Sequence, residues 1–157
     1  MLRVALAAIH LLAFAMAISG VFTRGAALRR PVSAEMLQRA FAGDNHWGIA
    51  AALLIATGLW RLLGGIEKAT SYYVHDTFFR QKMTAFLIIF ILELWPMVTL
   101  IRWRRALRRG ATAEATAPAA TARRIAAISF VQGTLMVVMV VFATAMARGY
   151  GSSESVR

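Results

Sequence analysis

Four long apolar runs, at 2–22, 47–63, 83–103 and 125–147, constrain this chain more than any other feature. Each is close to the roughly 20 residues that a helix needs to cross the hydrocarbon of a bilayer. Inside hydrocarbon every backbone N–H and C=O must find its partner within the protein, and a helix satisfies them within one segment. Hydrophobic residues make up 59% of the 157 and charged residues only 16%, against about a quarter charged in soluble domains. A soluble core of this size cannot bury that much apolar surface, whereas a bilayer solvates it. The expected fold is an all-α integral membrane protein. It is an antiparallel four-helix transmembrane bundle over 1–148, followed by a polar tail at 149–157.

The segments between the runs carry their own signals. Gly64 and Gly65 read as a helix stop after the second run. Pro96 removes one backbone donor from the third, where a kink is expected. Between the first two runs Pro31 breaks the chain, and Ser33 is placed to cap a short helix over 34–42. Met36, Leu37, Ala40 and Phe41 share one side of it, the pattern of a helix lying in the membrane interface. Gly43 then reads as its end and Asp44 as the cap of the second span. The stretch 104–121 is basic and then rich in Ala and Thr, with Pro118, and reads as a mobile loop. The N-terminus has the parts of a signal peptide in Arg3, an apolar run and small residues at Ala15 and Ala17. That run is long for a signal h-region, so its retention as a span is expected.

The net charge is +11, and there is no cysteine, which removes disulfides, iron–sulfur clusters and thiolate metal sites. Such a basic chain usually suggests nucleic acid. Here the basic residues lie between apolar runs and no nucleic-acid-binding fold accompanies them, so anionic lipid headgroups and topology account for them better. The first and third connections, with their flanks, hold eleven of the 18 Lys and Arg residues: Arg24, Arg29, Arg30, Arg39, Arg102, Arg104, Arg105, Arg108, Arg109, Arg123 and Arg124. The other side holds seven. Short basic connections stay in the cytoplasm, so a bacterial inner membrane with both termini periplasmic is expected.

Ionisable residues inside spans are costly and face the bundle interior. On the first span His10, Ala13, Ala17, Gly20 and Arg24 share one helical face, and the small residues among them let another helix approach. Thr57, Arg61, Gly64 and Lys68 share a face of the second; Lys82, Phe86, Ile89, Glu93 and Pro96 share one of the third. Counted from the outer ends of the runs, His10 and Glu93 lie at similar depth, with Arg61 slightly shallower. One buried cluster of His10, Arg61 and Glu93 is expected, with Glu67, Lys68 and Lys82 at its mouth. Plainer readings stand beside this one. A Glu93–Arg61 pair also serves simply to satisfy two buried charges, Lys82 to snorkel, and His10 to bond across helices. His46 and His75 read as surface residues, the tryptophans as an interfacial belt, and Met136 and Met139 as packing.

No phosphate-binding loop, dinucleotide fingerprint, HExxH or Ser/His/Asp signature is present. The strings DNHWGIAALL, GGIEKATSYYVHDTFFRQKM and LELWPMVTLIRWR resemble a domain-of-unknown-function family of small bacterial predicted membrane proteins, over nearly the whole chain. More distantly, a mid-span His followed by Arg on the first helix, TGLW on the second and Lys opening the third is similar to membrane protoporphyrinogen oxidases of the HemJ type and CopD-like membrane proteins. That resemblance implies haem b or another tetrapyrrole at His10 and Lys82, with His10 as the metal ligand. Glu93 in ELWPM and Arg61 depart from the pattern. Imidazole is a standard haem ligand, and propionates would seek Arg24, Arg61, Lys68 or Lys82. The leading expectation is redox chemistry at a site with His10, Glu93 and Lys82 catalytic. The alternative is a non-enzymatic membrane subunit, partnered or homo-oligomeric, or a component of a small-solute or proton pathway.

Overall fold

A computed structural model describes residues 1–63 and 77–148, apart from the side chains at 61–63, 146 and 147. Its elements, all helical among the described residues, are α1 (Leu2–Leu28), α2 (Ala34–Leu63), α3 (Thr77–Arg108), the single turn α4 (Ala113–Thr116) and α5 (Ala119–Ala147). Three stretches, Leu2–Leu28, Thr77–Arg108 and Ala119–Ala145, are long and apolar enough to cross a membrane.

All four long helices outrun the apolar runs that predict them, because Arg, Ala and Met in the flanks are good helix formers and propagation does not stop where hydropathy does. The largest departure concerns 34–42. Ser33 does cap a helix there, its Oγ accepting the Met36 N–H at 3.1 Å. That helix is not separate: it is the first part of the 30-residue α2. Met36, Leu37 and Ala40 turn into the protein core. Gly43, read as a stop, sits mid-helix because packing needs its missing side chain. A Cβ there would stand 2.7 Å from the backbone N of Arg24 and the O of Gly20. Gly20 is the reciprocal case, its Cβ position 2.7 Å from Gly43 O and Trp47 N. With His10 facing Thr57 and Gly58 farther along, α1 and α2 run in opposite senses at backbone-to-backbone distance.

The stretch 104–121 is ordered and mostly helical, not a mobile loop. α3 ends at Gly110, whose φ of +89° places it in the left-handed region. Its N–H bonds to Leu107 O at 3.0 Å and that of Ala111 to Ala106 O at 3.2 Å, the paired bonds of a Schellman end. Thr112 caps α4 through its side chain, and the Pro118 carbonyl accepts the Ala122 N–H in the first turn of α5. Ala113 and Ala117 are buried, so this connection closes the base of the core. Pro96 lies buried within α3, which continues on both sides of it.

The core has two apolar clusters. One, at the arginine-rich end, gathers Leu28, Leu37, Leu100, Trp103 and Ile125. The other gathers Ala17, Val21, Trp47, Ile89, Met136 and Met139. Trp47 and Trp103 therefore belong to the core rather than to an interfacial belt, while Trp60 and Trp95 are exposed. Outward-facing apolar side chains such as Leu87, Ile91 and Val141 cover the exterior, a surface suited to lipid rather than water.

The close glycine crossing makes a contrast that thermal melting in detergent can read. Gly43→Ala forces the α1 and α2 backbones apart and is expected to cost about 2 kcal/mol or more. Gly48→Ala, where a Cβ meets nothing within 4 Å, is expected to be neutral or to stabilise by about 0.5–1 kcal/mol.

Candidate functional site

Between the two apolar clusters lies a layer of charge. The α1 face built from Ala13, Ala17 and Gly20 continues to Arg24, which is 0% exposed. A guanidinium has five N–H donors in a rigid fork and stays charged in proteins. Here each donor meets an acceptor. Nε donates to Ser129 Oγ at 3.0 Å. Nη1 donates to Glu93 Oε1 at 2.6 Å and to Asp44 Oδ1 at 3.1 Å. Nη2 donates to Glu93 Oε2 at 2.8 Å and to Gln132 Oε1 at 2.8 Å. The Arg24–Glu93 contact is thus bidentate, the strongest form of this pair.

The acceptors are secured in turn. Gln132 Nε2 donates to Glu93 Oε2 at 2.9 Å and to Ile89 O at 3.2 Å. The Ser129 hydroxyl donates to Ile125 O at 2.9 Å, leaving a lone pair for Arg24. Asp44 Oδ2 accepts from Arg104 Nη2 at 2.8 Å. Arg104 also reaches Asn45 Oδ1 at 2.7 Å and Phe41 O at 3.0 Å, with its guanidinium 4.8 Å from the Phe41 ring centre. Two arginines and two carboxylates, formally neutral together, join α1, α2 and α3, and Ser129 and Gln132 bring in α5.

This arrangement differs from the expected cluster. Glu93 is partnered by Arg24 and Gln132; the side chain of Arg61, its expected partner, lies outside the described residues, as do Glu67 and Lys68. His10 stands 14 residues before Arg24 on α1, roughly 21 Å along the axis, and is not in the layer. Its Nδ1 is 2.7 Å from Thr57 Oγ1, and the Thr57 hydroxyl donates to Leu53 O at 2.6 Å. With that hydrogen committed, His10 is the donor between them. Lys82 is half-buried on α3, about 16 Å from Glu93 along the helix. Equal depth failed because it was counted from the ends of the apolar runs, and α3 begins at Thr77 rather than at residue 83.

Arg24 was visible on its face, but its partners were not. Asp44 read as a helix cap, and Arg104 as part of a loop. Ser129 and Gln132 carried the missing signal: two polar residues three apart, on one face of an otherwise apolar run. Met136 and Met139 pack in the apolar core, and His46 is exposed, both as expected. His75 lies outside the described residues.

The fit to a tetrapyrrole can be judged on two points. The lane of Ala13, Ala17 and Gly20 is taken up by helix packing, with the α2 backbone against Gly20 and the Gly58 Cβ position 3.6 Å from the His10 ring. Arg24 has no N–H left for a propionate. The described residues around that lane therefore do not fit a macrocycle lying along α1. Among the described residues no three His, Asp or Glu side chains are grouped to hold a metal ion.

All five helices, with their layer of charge, fall within one family. The chain belongs to the DUF2214 family. The model of that family, described as a predicted membrane protein, matches residues 2–151. No curated protein and no solved structure matches the chain. Membership in DUF2214 and three helices able to cross a bilayer make this a membrane protein, with the Arg24 layer enclosed among its spans.

Removing one partner of a buried bidentate pair leaves an uncompensated charge, at a cost of about 3–5 kcal/mol. Arg24→Gln and Glu93→Gln are each expected to lower stability by about that much in detergent melts. The double variant is expected to be milder than the sum of the two by at least about 1 kcal/mol. Strict additivity would mean that the two side chains do not act as a pair.

Proposed function

We propose that the protein is an architectural, non-catalytic component of the bacterial inner membrane. In this reading it is an antiparallel four-helix bundle in which α2 supplies the fourth span. Its buried charge layer holds the helices in register, and its arginine-rich end faces the cytoplasm. The observation that carries the reading is the saturation of Arg24, whose five donors are all spent on side chains of the same chain. A site for substrate or cofactor keeps donors for its ligand; Arg24 spends all five of its own within the chain. The apolar residues Ile49, Leu53, Ile55 and Leu59, exposed along α2, support its place as a span.

A proton pathway would also use a buried carboxylate, but Glu93 has both oxygens held by Arg24 and Gln132. A relay needs a carboxylate with an oxygen open to a proton donor, and both oxygens of Glu93 are engaged within the layer.

Two measurements on purified protein test the reading. In liposomes carrying a pH gradient, wild type and Glu93→Gln are expected to leak protons at the same rate, and a flux lost in Glu93→Gln would overturn the proposal. Protein purified in mild detergent is expected to lack a Soret band, and a band abolished by His10→Ala would restore a tetrapyrrole redox role. Topology gives a third outcome. A reporter active only in the periplasm, fused after Arg157, is expected to be active, since the short basic connections lie at the opposite end.

A further inference from the structure

Nine exposed arginines crowd the end of the protein below the charge layer, and no lysine stands in the segments that carry them, the two in the sequence being Lys68 and Lys82. Only Arg39 among the nine has a carboxylate partner in the described residues, Glu35 at 2.8 Å. Most of the others extend freely, but Arg29 is held. Its guanidinium lies 4.0 Å from the centre of the Phe130 ring on α5.

The ring is a fixed platform. Phe22 meets it edge-on at 5.9 Å, and Gly25, bare of a side chain, lets its edge come within 3.2 Å of the Gly25 Cβ position. A guanidinium held over a ring face keeps its in-plane N–H fork for other partners. That fork matches two oxygens of a phosphate. Gly25 faces Ala126, Ser129 and Phe130, and the helices run in opposite senses. One turn farther, Arg29 therefore comes level with the α5 turn that carries Arg123 and Arg124.

We propose that Arg29, stacked on Phe130, forms a binding site for the phosphodiester headgroup of an anionic phospholipid, with Arg123 and Arg124 adding positive charge farther along α5. Position and charge together select a lipid. Arg29 follows directly on the membrane-crossing part of α1, and one and two turns before it Ala26 and Phe22 are exposed on the same side of the helix. A phosphate held at Arg29 places its acyl chains along that apolar side. Arginine rather than lysine gives a directional clamp, beyond the general attraction of a basic surface for an acidic leaflet. The site does not depend on the architectural reading above and stands whether or not the protein also has an activity.

Native mass spectrometry of the full chain in neutral detergent tests this by titrating dioleoyl phosphatidylglycerol against dioleoyl phosphatidylcholine. The anionic lipid is expected to bind at least about tenfold more tightly. Arg29→Ala is expected to weaken it about tenfold, the worth of one charge-assisted contact. Phe130→Leu is expected to weaken it several-fold, and Arg29→Lys to fall between wild type and Arg29→Ala. Arg109→Ala, which removes the same charge at an exposed arginine outside the clamp, is expected to change affinity less than twofold. Equal losses in Arg29→Ala and Arg109→Ala would overturn the site in favour of diffuse attraction. So would equal binding of the two lipids, or displacement by millimolar inorganic phosphate. Preferential capture of an acidic peptide or RNA over phosphatidylglycerol would overturn it in favour of a soluble partner. If Arg29→Ala does not fold, the lipid comparison and phosphate competition on wild type still decide.

Discussion

A guanidinium does not shed its proton in a protein, so burying Arg24 obliges the fold to surround it with acceptors. The desolvation cost is several kcal/mol for each ion before any contact offsets it. The acceptors come from three other helices, through Asp44 on α2, Glu93 on α3 and Ser129 and Gln132 on α5. Those helices must reach one level with the right rotation at the same time. Shifting any of them by a turn, about 5.4 Å, strands a charge in the core. Apolar contact alone sets no such register in lipid, because a leucine on a neighbouring helix is little different from an acyl chain. The layer therefore contributes register and specificity more than net stability.

What makes the layer possible is backbone proximity. Gly20 and Gly43 let α1 and α2 meet with main-chain atoms where side chains would otherwise stand, and Asp44 follows Gly43 directly, so its carboxylate starts close to Arg24. The apolar clusters on either side shield the charges from water, which strengthens each contact and also raises the cost of losing one. Arg104 completes the arrangement from the half-exposed side, holding the second oxygen of Asp44.

Much of this was legible from residues alone, and the failures have one origin. The face running from His10 through Ala13, Ala17 and Gly20 to Arg24 follows from helical spacing, and α1 buries Ala13, Ala17, Gly20 and Arg24. The cap at Ser33 was legible too. Depth was not, because hydropathy marks where lipid contact ends, whereas these helices continue through Arg, Ala and Thr beyond it. Gly43 misled for a related reason. A glycine that ends a helix and one that admits a neighbouring backbone look the same in a string of letters. With 34–42 read as a separate surface helix, Asp44 reads as a cap, and Glu93 is left without the cation that the structure gives it in Arg24.

The buried and the exposed arginines do opposite work, and one glycine serves both. The layer is neutral overall, so it has no sign with which to orient the protein across a membrane. That bias comes from the exposed arginines in the short connections. Arg24 on α1 and Arg29 just past its end stand five residues apart, one facing the layer and the other exposed at the surface. Between them Gly25 lacks the side chain that would hold α5 away, its Cβ position lying 3.2 Å from both Ser129 Cβ and Phe130 Cε2. Ser129 accepts from Arg24 and Phe130 carries Arg29. The close approach that satisfies the buried cation therefore also fixes the ring beneath the exposed one, and bundle register and the geometry of the basic surface are set at the same helix crossing.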